Sequence, residues 1–221
     1  MLKDFWSSET GSASLYSPER PAAPVAQPQT RMSNGLDQFF SSIQDRESLS
    51  ILDFAGASQA NVSFITSLGH RIYSNDIQHT LDDAFGRDGD FVANQADPHR
   101  ADFFLRESLH FPDHTFDGVL VWDTLQFLAP PLLQETVDRL HRILRPQSAL
   151  LAFFNSDEKA DAVTTYNYRI AESKVLSLTP RGPRARAQYF NNRSLEKLFQ
   201  KFHSVKFFLT RDSLREVIVR R

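Results

Sequence analysis

An α/β fold, doubly wound around a mainly parallel sheet with helices on its faces, is predicted by three observations on the 221-residue sequence. Short apolar runs at residues 49–54 (LSILDF), 116–122 (FDGVLVW) and 149–154 (ALLAFF) have the length and composition of buried strands. Segments with helical periodicity, 60–68 and 132–144, lie between them. Strands that alternate with helices in this way need crossovers, which are right-handed and give parallel pairing. A C-terminal antiparallel strand pair is predicted to close the sheet.

Each element follows from local chemistry. Residues 1–32 hold Pro18, Pro21, Pro24 and Pro28 among Ser, Ala and Gln without periodicity, and are expected to be a disordered tail. Phe5, Trp6, Leu15 and Tyr16 are its only large apolar groups, available to dock on the domain or on a partner. The domain is expected to span 33–221. Behind a Ser33/Asn34 cap, Leu36, Phe39, Phe40 and Ile43 recur at three and four residues, which makes a helix ending before Ser48. Strand 49–54 leads through small residues into helix 60–68. Gly69 stands at the helix C-cap, and 70–77 alternates as a second strand ending in a carboxylate.

Between 78 and 115 the pattern is weaker. Asp97-Pro98 is an N-cap followed by Pro at N1, and Ala101, Phe104, Leu105 and Leu109 share one face of the helix that follows. A strand in this stretch is expected to be short or absent. After strand 116–122, Leu133, Val137, Leu140 and Leu144 form the apolar stripe of helix 132–144, which Pro146 stops before strand 149–154. Residues 194–202 read as a helix, and 205–209 with 217–219 as the closing hairpin.

Composition excludes several functions. There is no cysteine, hence no disulfide, thiolate nucleophile or Cys-ligated metal. Lys+Arg 25 against Asp+Glu 27 gives a net charge of -2, with no general pull toward nucleic acid or an anionic membrane. No apolar run reaches the roughly 18 residues that span a bilayer and no signal peptide is evident, so a cytoplasmic location is expected. The seven His include no close-spaced pair, and no metal site is expected.

In a doubly wound sheet, ligands bind beyond the carboxyl ends of the strands at the switch point. There the sequence places Asp53, Ala55, Gly56 and Ala57 after the first strand and Asp76, followed by Ile77, after the second. Two carboxylates at successive strand ends suit a nucleotide-bearing ligand, the second accepting from ribose hydroxyls. Alternatively, Asp53 caps the next helix and Asp76 starts a turn.

Residues 51–59 (ILDFAGASQ) resemble motif I of class I S-adenosylmethionine-dependent methyltransferases. The resemblance continues through 74–77 (SNDI), 109–117 (LHFPDHTFD), 119–123 (VLVWD) and 140–146 (LHRILRP), and the terminal strand pair matches the reversed hairpin of that Rossmann-like fold. It implies an S-adenosylmethionine-dependent methyltransferase acting on an undetermined acceptor, or a catalytically inactive relative that serves as a binding or scaffold protein. The cofactor-binding positions it implies are Asp53, Ala55, Gly56, Ala57, Asp76, Ile77, Glu107, Ser108, Leu109 and Asp123. A nicotinamide-dependent oxidoreductase is less well matched, because the Gly-x-Gly-x-x-Gly spacing is missing.

The departures fall on glycines. Where the family usually has three in the first loop, this chain has Ala55, Ala57 and Gln59; after Pro146 it has Gln147-Ser148. Gln59 either enters the cofactor space or points outward, and Asn61 either supplies a polar contact or is an ordinary helix residue. Leu105 stands where an acid commonly follows the third strand, with Glu107 two residues on as a substitute or as a solvent-facing residue.

Methyl transfer is a displacement from an already activated sulfonium, so no universal catalytic residue is expected. Asp123 is the leading polar candidate at the reaction centre, against a role as helix cap. Trp122 is read as packing or pocket wall, and His110 as a candidate base. Residues 166–169 (YNYR) either line a substrate pocket or form a helix packed on the sheet. Arg181, Arg184 and Arg186 with Arg193 either meet an anionic group or lie in a solvated loop.

Overall fold

The computed structural model describes residues 27–87, 89–210 and 213–221; of the tail expected over residues 1–32, residues 1–26 lie outside them. Strand β1 (Gln29–Met32) comes first, then helix α1 (Asn34–Ser41), capped by the Ser33 side chain, which accepts from Leu36 N. The first crossover is β2 (Ser50–Asp53), α2 (Gln59–Ser67) and β3 (Arg71–Ser74). Gly69 ends α2 at φ 81°, the left-handed conformation that a glycine C-cap supplies. Helix α3 (Ile77–Phe85) and helix α4 (Pro98–Leu109) then lead to β4 (Phe116–Trp122). The Asp97 side chain caps α4 by accepting from His99 N and Arg100 N.

Helix α5 (Pro130–Ile143) and strand β5 (Leu144–Asn155) complete the parallel part. Two long strands follow, β6 (Ala162–Glu172) and β7 (Val175–Ala185), then α6 (Asn192–Leu198), β8 (Ser204–Leu209) and β9 (Leu214–Arg220). The main sheet has the order β3-β2-β4-β5-β9-β8. Strands β3, β2, β4 and β5 are parallel, whereas β9 runs antiparallel to β5 and β8 antiparallel to β9. This is the predicted doubly wound α/β sheet with its C-terminal antiparallel pair. No strand forms between β3 and β4 among the described residues; α3 and α4 fill that length of chain.

Burial explains the order. All seven residues of β4 and all four of β2 are buried, as a central strand covered on both faces requires. Helix α1 packs Leu36, Phe39 and Phe40 into the same core as Ile51, Val119 and Leu151. Gly118 makes this approach possible: a Cβ there would stand 2.6 Å from Phe39 Cζ and 2.9 Å from Ile51 Cδ1. Asp117, buried beside it, accepts from Ser50 N at 3.0 Å and pairs with Arg46 and Arg145, fastening β4 to the start of β2 and the start of β5.

One expectation needs correction, and two alternatives left open by the sequence are narrowed. Residues 29–32, read from the sequence as tail, are strand β1, which pairs antiparallel with β7. Residues 166–169 form no helix, and 181–185 no solvated loop: both belong to the β6–β7 hairpin. With β1 this hairpin makes a second, three-stranded sheet, β1-β7-β6, that shares no strand with the main sheet. It lies against α2 and over the carboxyl ends of the main strands. The pairing of β1 spans more than 140 residues of sequence, so no local pattern announces it. Glu216 on β9, fully buried, holds this unit at one end: it accepts from Gly35 N at 2.6 Å and pairs with Arg31 of β1 at 3.4 Å. No described helix is long and apolar enough to cross a membrane.

Candidate functional site

The chain winds from β2 to its neighbour β3 and then returns to the other side of β2 as β4, so the switch point lies between the carboxyl ends of β2 and β4. Residues 53–57 and 122–124 meet there. Asp53 ends β2 fully buried. Its Oδ1 accepts from Ala55 N at 3.0 Å and from Trp122 Nε1 at 2.7 Å, and its Oδ2 accepts from Asn61 Nδ2 at 2.6 Å. Burial raises its pKa, against the lowering effect of those three donors. With three donors in place, the carboxylate fixes the loop and the Trp122 ring.

Trp122 is a buried, non-glycine residue in left-handed backbone at φ 56°. Such a conformation costs about 1–3 kcal/mol and persists only where its surroundings demand it. Here the demand is visible: the turn out of β4 brings the indole against Asp53 and stacks it flat on the Tyr168 ring, centroids 4.8 Å apart and 9° from parallel. Asn61 on the first turn of α2 joins the same cluster. Besides donating to Asp53 it donates to Tyr168 O at 3.3 Å, and its Oδ1 accepts from Ile170 N at 2.8 Å.

Asp123 follows Trp122 and is almost wholly buried. Its Oδ1 accepts from Gln78 Nε2 at 3.4 Å, and among the described residues Gln78 Oε1 has no hydrogen-bond partner. Desolvation pushes its pKa up to about 7, partly offset by the Tyr168 hydroxyl and, at longer range, by Arg184 and Arg181. Burial and the Asp123 charge push the Tyr168 phenol well above its ordinary value in turn. Asp123 does not cap the short 3-10 turn of residues 124–127 with its side chain.

The second carboxylate stands nearby. Ala55 bridges antiparallel to Asp76, and Gly56 N donates to Asn75 O at 3.1 Å. Gly56 has φ 79°, and a Cβ there would stand 3.2 Å from Asp76 Cβ, so this remaining glycine of the loop is needed for both conformation and space. Asp76 Oδ1 caps α3 by accepting from His79 N at 3.0 Å and pairs with Arg181 of β7 at 3.4 Å. Ile77 is buried in the core as the first residue of α3. Farther along the hairpin, Arg184 pairs with Asp82 and lies 4.7 Å over the Phe91 ring.

The structure thus brings Asp53, Ala55, Gly56, Asp76 and Asp123 to one edge. Ala57 is exposed, and so is Gln59, whose Nε2 donates to Ser63 Oγ along its own helix. Glu107 is solvent-facing and beside Arg106; only its carbonyl comes near the edge, accepting from Asn75 Nδ2 at 3.1 Å. Ser108 and Leu109 are buried in α4, the Ser108 hydroxyl without a partner. His110 lines a separate depression of about 210 Å³ with Phe111, Asp113 and Arg139.

What fills the edge is not legible in the sequence. Trp122, Tyr168 and Arg181 meet Ala55, Gln78 and Asp123 around a remaining crevice of only about 10 Å³, room for about one water. Beside it opens a larger cleft of about 460 Å³, with Arg31, Asp123, Gln126, Asn155, Tyr166 and Tyr168 on its walls. That volume lies within the ordinary range of small-molecule sites. The signal for Tyr168 is its alternation with Tyr166 and Ile170 on a strand, in a stretch where the sequence also admits a helix.

Residues 52–152 match the family model of a methyltransferase domain. No curated protein sequence matches the chain. Among solved structures, 1,6-didemethyltoxoflavin-N1-methyltransferase from Burkholderia thailandensis is 14% identical over 84% of this chain and 74% of that one, with a TM-score of 0.46. A methyltransferase from Methanosarcina mazei is 15% identical over 79% and 92%, TM-score 0.45. One from Aquifex aeolicus is 11% identical over 85% and 89%, TM-score 0.43. The family match covers the span from the end of β2 into β5, which includes the switch point and Asp53, Asp76 and Asp123. Over residues 52–152, a little under half of the chain, the sequence is thus similar to a methyltransferase domain.

Proposed function

We propose that this protein is an S-adenosylmethionine-dependent methyltransferase whose acceptor is a small molecule seated in the 460 Å³ cleft. The observation that carries the reading is Asp123: a buried carboxyl at the end of β4, titrating at about 7, that lines both this cleft and the switch-point crevice. The methyl donor brings its own activated group, so the protein's tasks are to orient the acceptor and to receive its proton. An acid poised near neutrality is suited to the second task. Tyr166 and Tyr168 offer aromatic walls to the acceptor, and Gln126 and Asn155 polar ones. The cofactor positions expected from the sequence, with Asp76 as the ribose acceptor, stay part of this proposal, as does a cytoplasmic location.

The donor set and the space disagree. Carboxylates at successive strand ends and Gln78 Oε1, which has no partner among the described residues, suit a nucleoside-bearing ligand. A crevice of about 10 Å³ does not hold one, since ligand pockets run from roughly 300 to 1,000 Å³. In this conformation the residues at the switch point do not fit the cofactor. That observation favours a second reading, a methyltransferase fold kept as a binding or scaffold protein.

Calorimetric titration with S-adenosylmethionine and with S-adenosylhomocysteine separates the two. Saturable binding of both supports the enzyme; no heat at millimolar ligand refutes it and leaves the scaffold.

A further inference from the structure

We infer that the β6–β7 hairpin is a latch that competes with the methyl donor for the crevice between β2 and β4, so that donor binding and hairpin release are one event. The inference rests on the methyltransferase reading and concerns how its site opens. The group that closes the crevice is the hairpin's own Tyr168, stacked on Trp122 with its hydroxyl beside Asp123. Apart from Tyr166 and Arg181 of the same hairpin, the other crevice residues are placed by the main sheet and the turns that leave it.

The way the hairpin is fastened sets it apart from a structural strand. Among the described residues it pairs only with β1, and no backbone ladder joins its sheet to the main one. Across the crevice it is held by side chains: Asn61 to Tyr168 O and Ile170 N, Arg181 to Asp76, and Arg184 to Asp82. Release of these contacts also parts Tyr168 from the Trp122 and Phe153 rings, the apolar contact that holds the closed form against the ligand. At the opposite side, Arg31 on β1 stays tied to the buried Glu216, a contact that a swinging unit keeps. Gln78 Oε1, buried on the crevice wall and without a partner among the described residues, is a second sign that the closed form is not the crevice's final state. Latch and ligand share one volume, so each weakens the other by the same factor.

The test uses the full chain and S-adenosylhomocysteine as the probe. Tyr168→Ala empties the crevice and is expected to bind the probe at least about tenfold more tightly than the wild type, the factor by which latch closure taxes binding. Arg181→Ala, which cuts an ion pair at the edge and leaves the core alone, is expected to bind a few-fold more tightly and serves if Tyr168→Ala does not fold. In the wild type, hydrogen exchange over residues 162–172 should accelerate on adding the probe, because the Ile170 amide loses Asn61 Oδ1. Equal affinities with unchanged exchange overturn the latch and leave the methyltransferase standing. No binding by the wild type or either variant overturns the methyltransferase reading, and the latch with it.

Discussion

Replacing Asp123 by Asn isolates the electrostatic cost of the site. The Asp123 carboxyl moves from an ordinary value of 3.8 to about 7 on folding because burial strips the charged form of water. Below about pH 4 it is protonated in both the folded and unfolded chain, and the substitution changes little. Between about pH 4 and 7 the unfolded chain has lost the proton while the folded chain keeps it. The folded state then binds more protons, so stability falls as pH rises, by about 1.4 kcal/mol per pH unit for a single group. Above about pH 7 the loss levels off at about 4 kcal/mol. The amide that Asp123→Asn introduces has the same shape, accepts from Gln78 as the carboxyl does, and never ionises. The variant should therefore equal the wild type at about pH 4 and exceed it by about 4 kcal/mol at about pH 8. Asp53 and Glu216, also raised by burial, are present in both proteins and cancel in the difference. Urea unfolding of the two proteins at a series of pH values reads that difference directly. A gap that stays constant from about pH 4 to pH 8 would show that Asp123 is not the near-neutral acid that both the stability argument and its role as proton acceptor require.

Gly118→Ala sets a methyl 2.6 Å from Phe39 Cζ, and the overpacked core should lose about 1–3 kcal/mol in denaturant unfolding. Asn61→Ala leaves Asp53 Oδ2 and Ile170 N without their partners inside the protein, at about 1–3 kcal/mol for each group, whereas Asn61→Ser should recover part of that loss. Glu216→Ala removes the acceptor of Gly35 N and the buried carboxylate that faces Arg31, and should destabilise by about 1–3 kcal/mol; an unchanged melting temperature would show that the Glu216 tie is idle. Starting the chain at Ser33 removes β1 and Arg31 together, so a lowered melting temperature is expected there, measured by calorimetry.

Much of the main sheet is legible because its signals are local. The buried runs of β2, β4 and β5, the Asp97-Pro98 start of α4 and the Ser33 cap of α1 each depend on a few neighbouring residues. The same holds for Asp53, Asp76 and Asp123, which a strand-end position alone brings to the carboxyl edge. The β6–β7 hairpin is not legible. Its residues alternate, but polar groups such as Asn167 and Arg169 interrupt the pattern, and its β1 partner lies far upstream. Glu107 shows the opposite failure: sequence spacing points to the edge, and the helix that replaces a strand there turns its side chain to solvent.

By itself the sequence determined the class of fold, the order of its main-sheet strands and helices, and which carboxylates stand at the strand ends, because propensity, capping and hydrophobic period act over a few residues. Only the tertiary structure decided what those carboxylates face. Asp53 is saturated by Ala55, Asn61 and Trp122, and Asp76 is taken by Arg181. Asp123 is dried by burial beside Tyr168 until it titrates near neutrality. Those outcomes depend on residues far apart in the chain, 69 positions for Trp122 with Asp53 and 105 for Arg181 with Asp76, where burial and stacking, rather than spacing, set the chemistry.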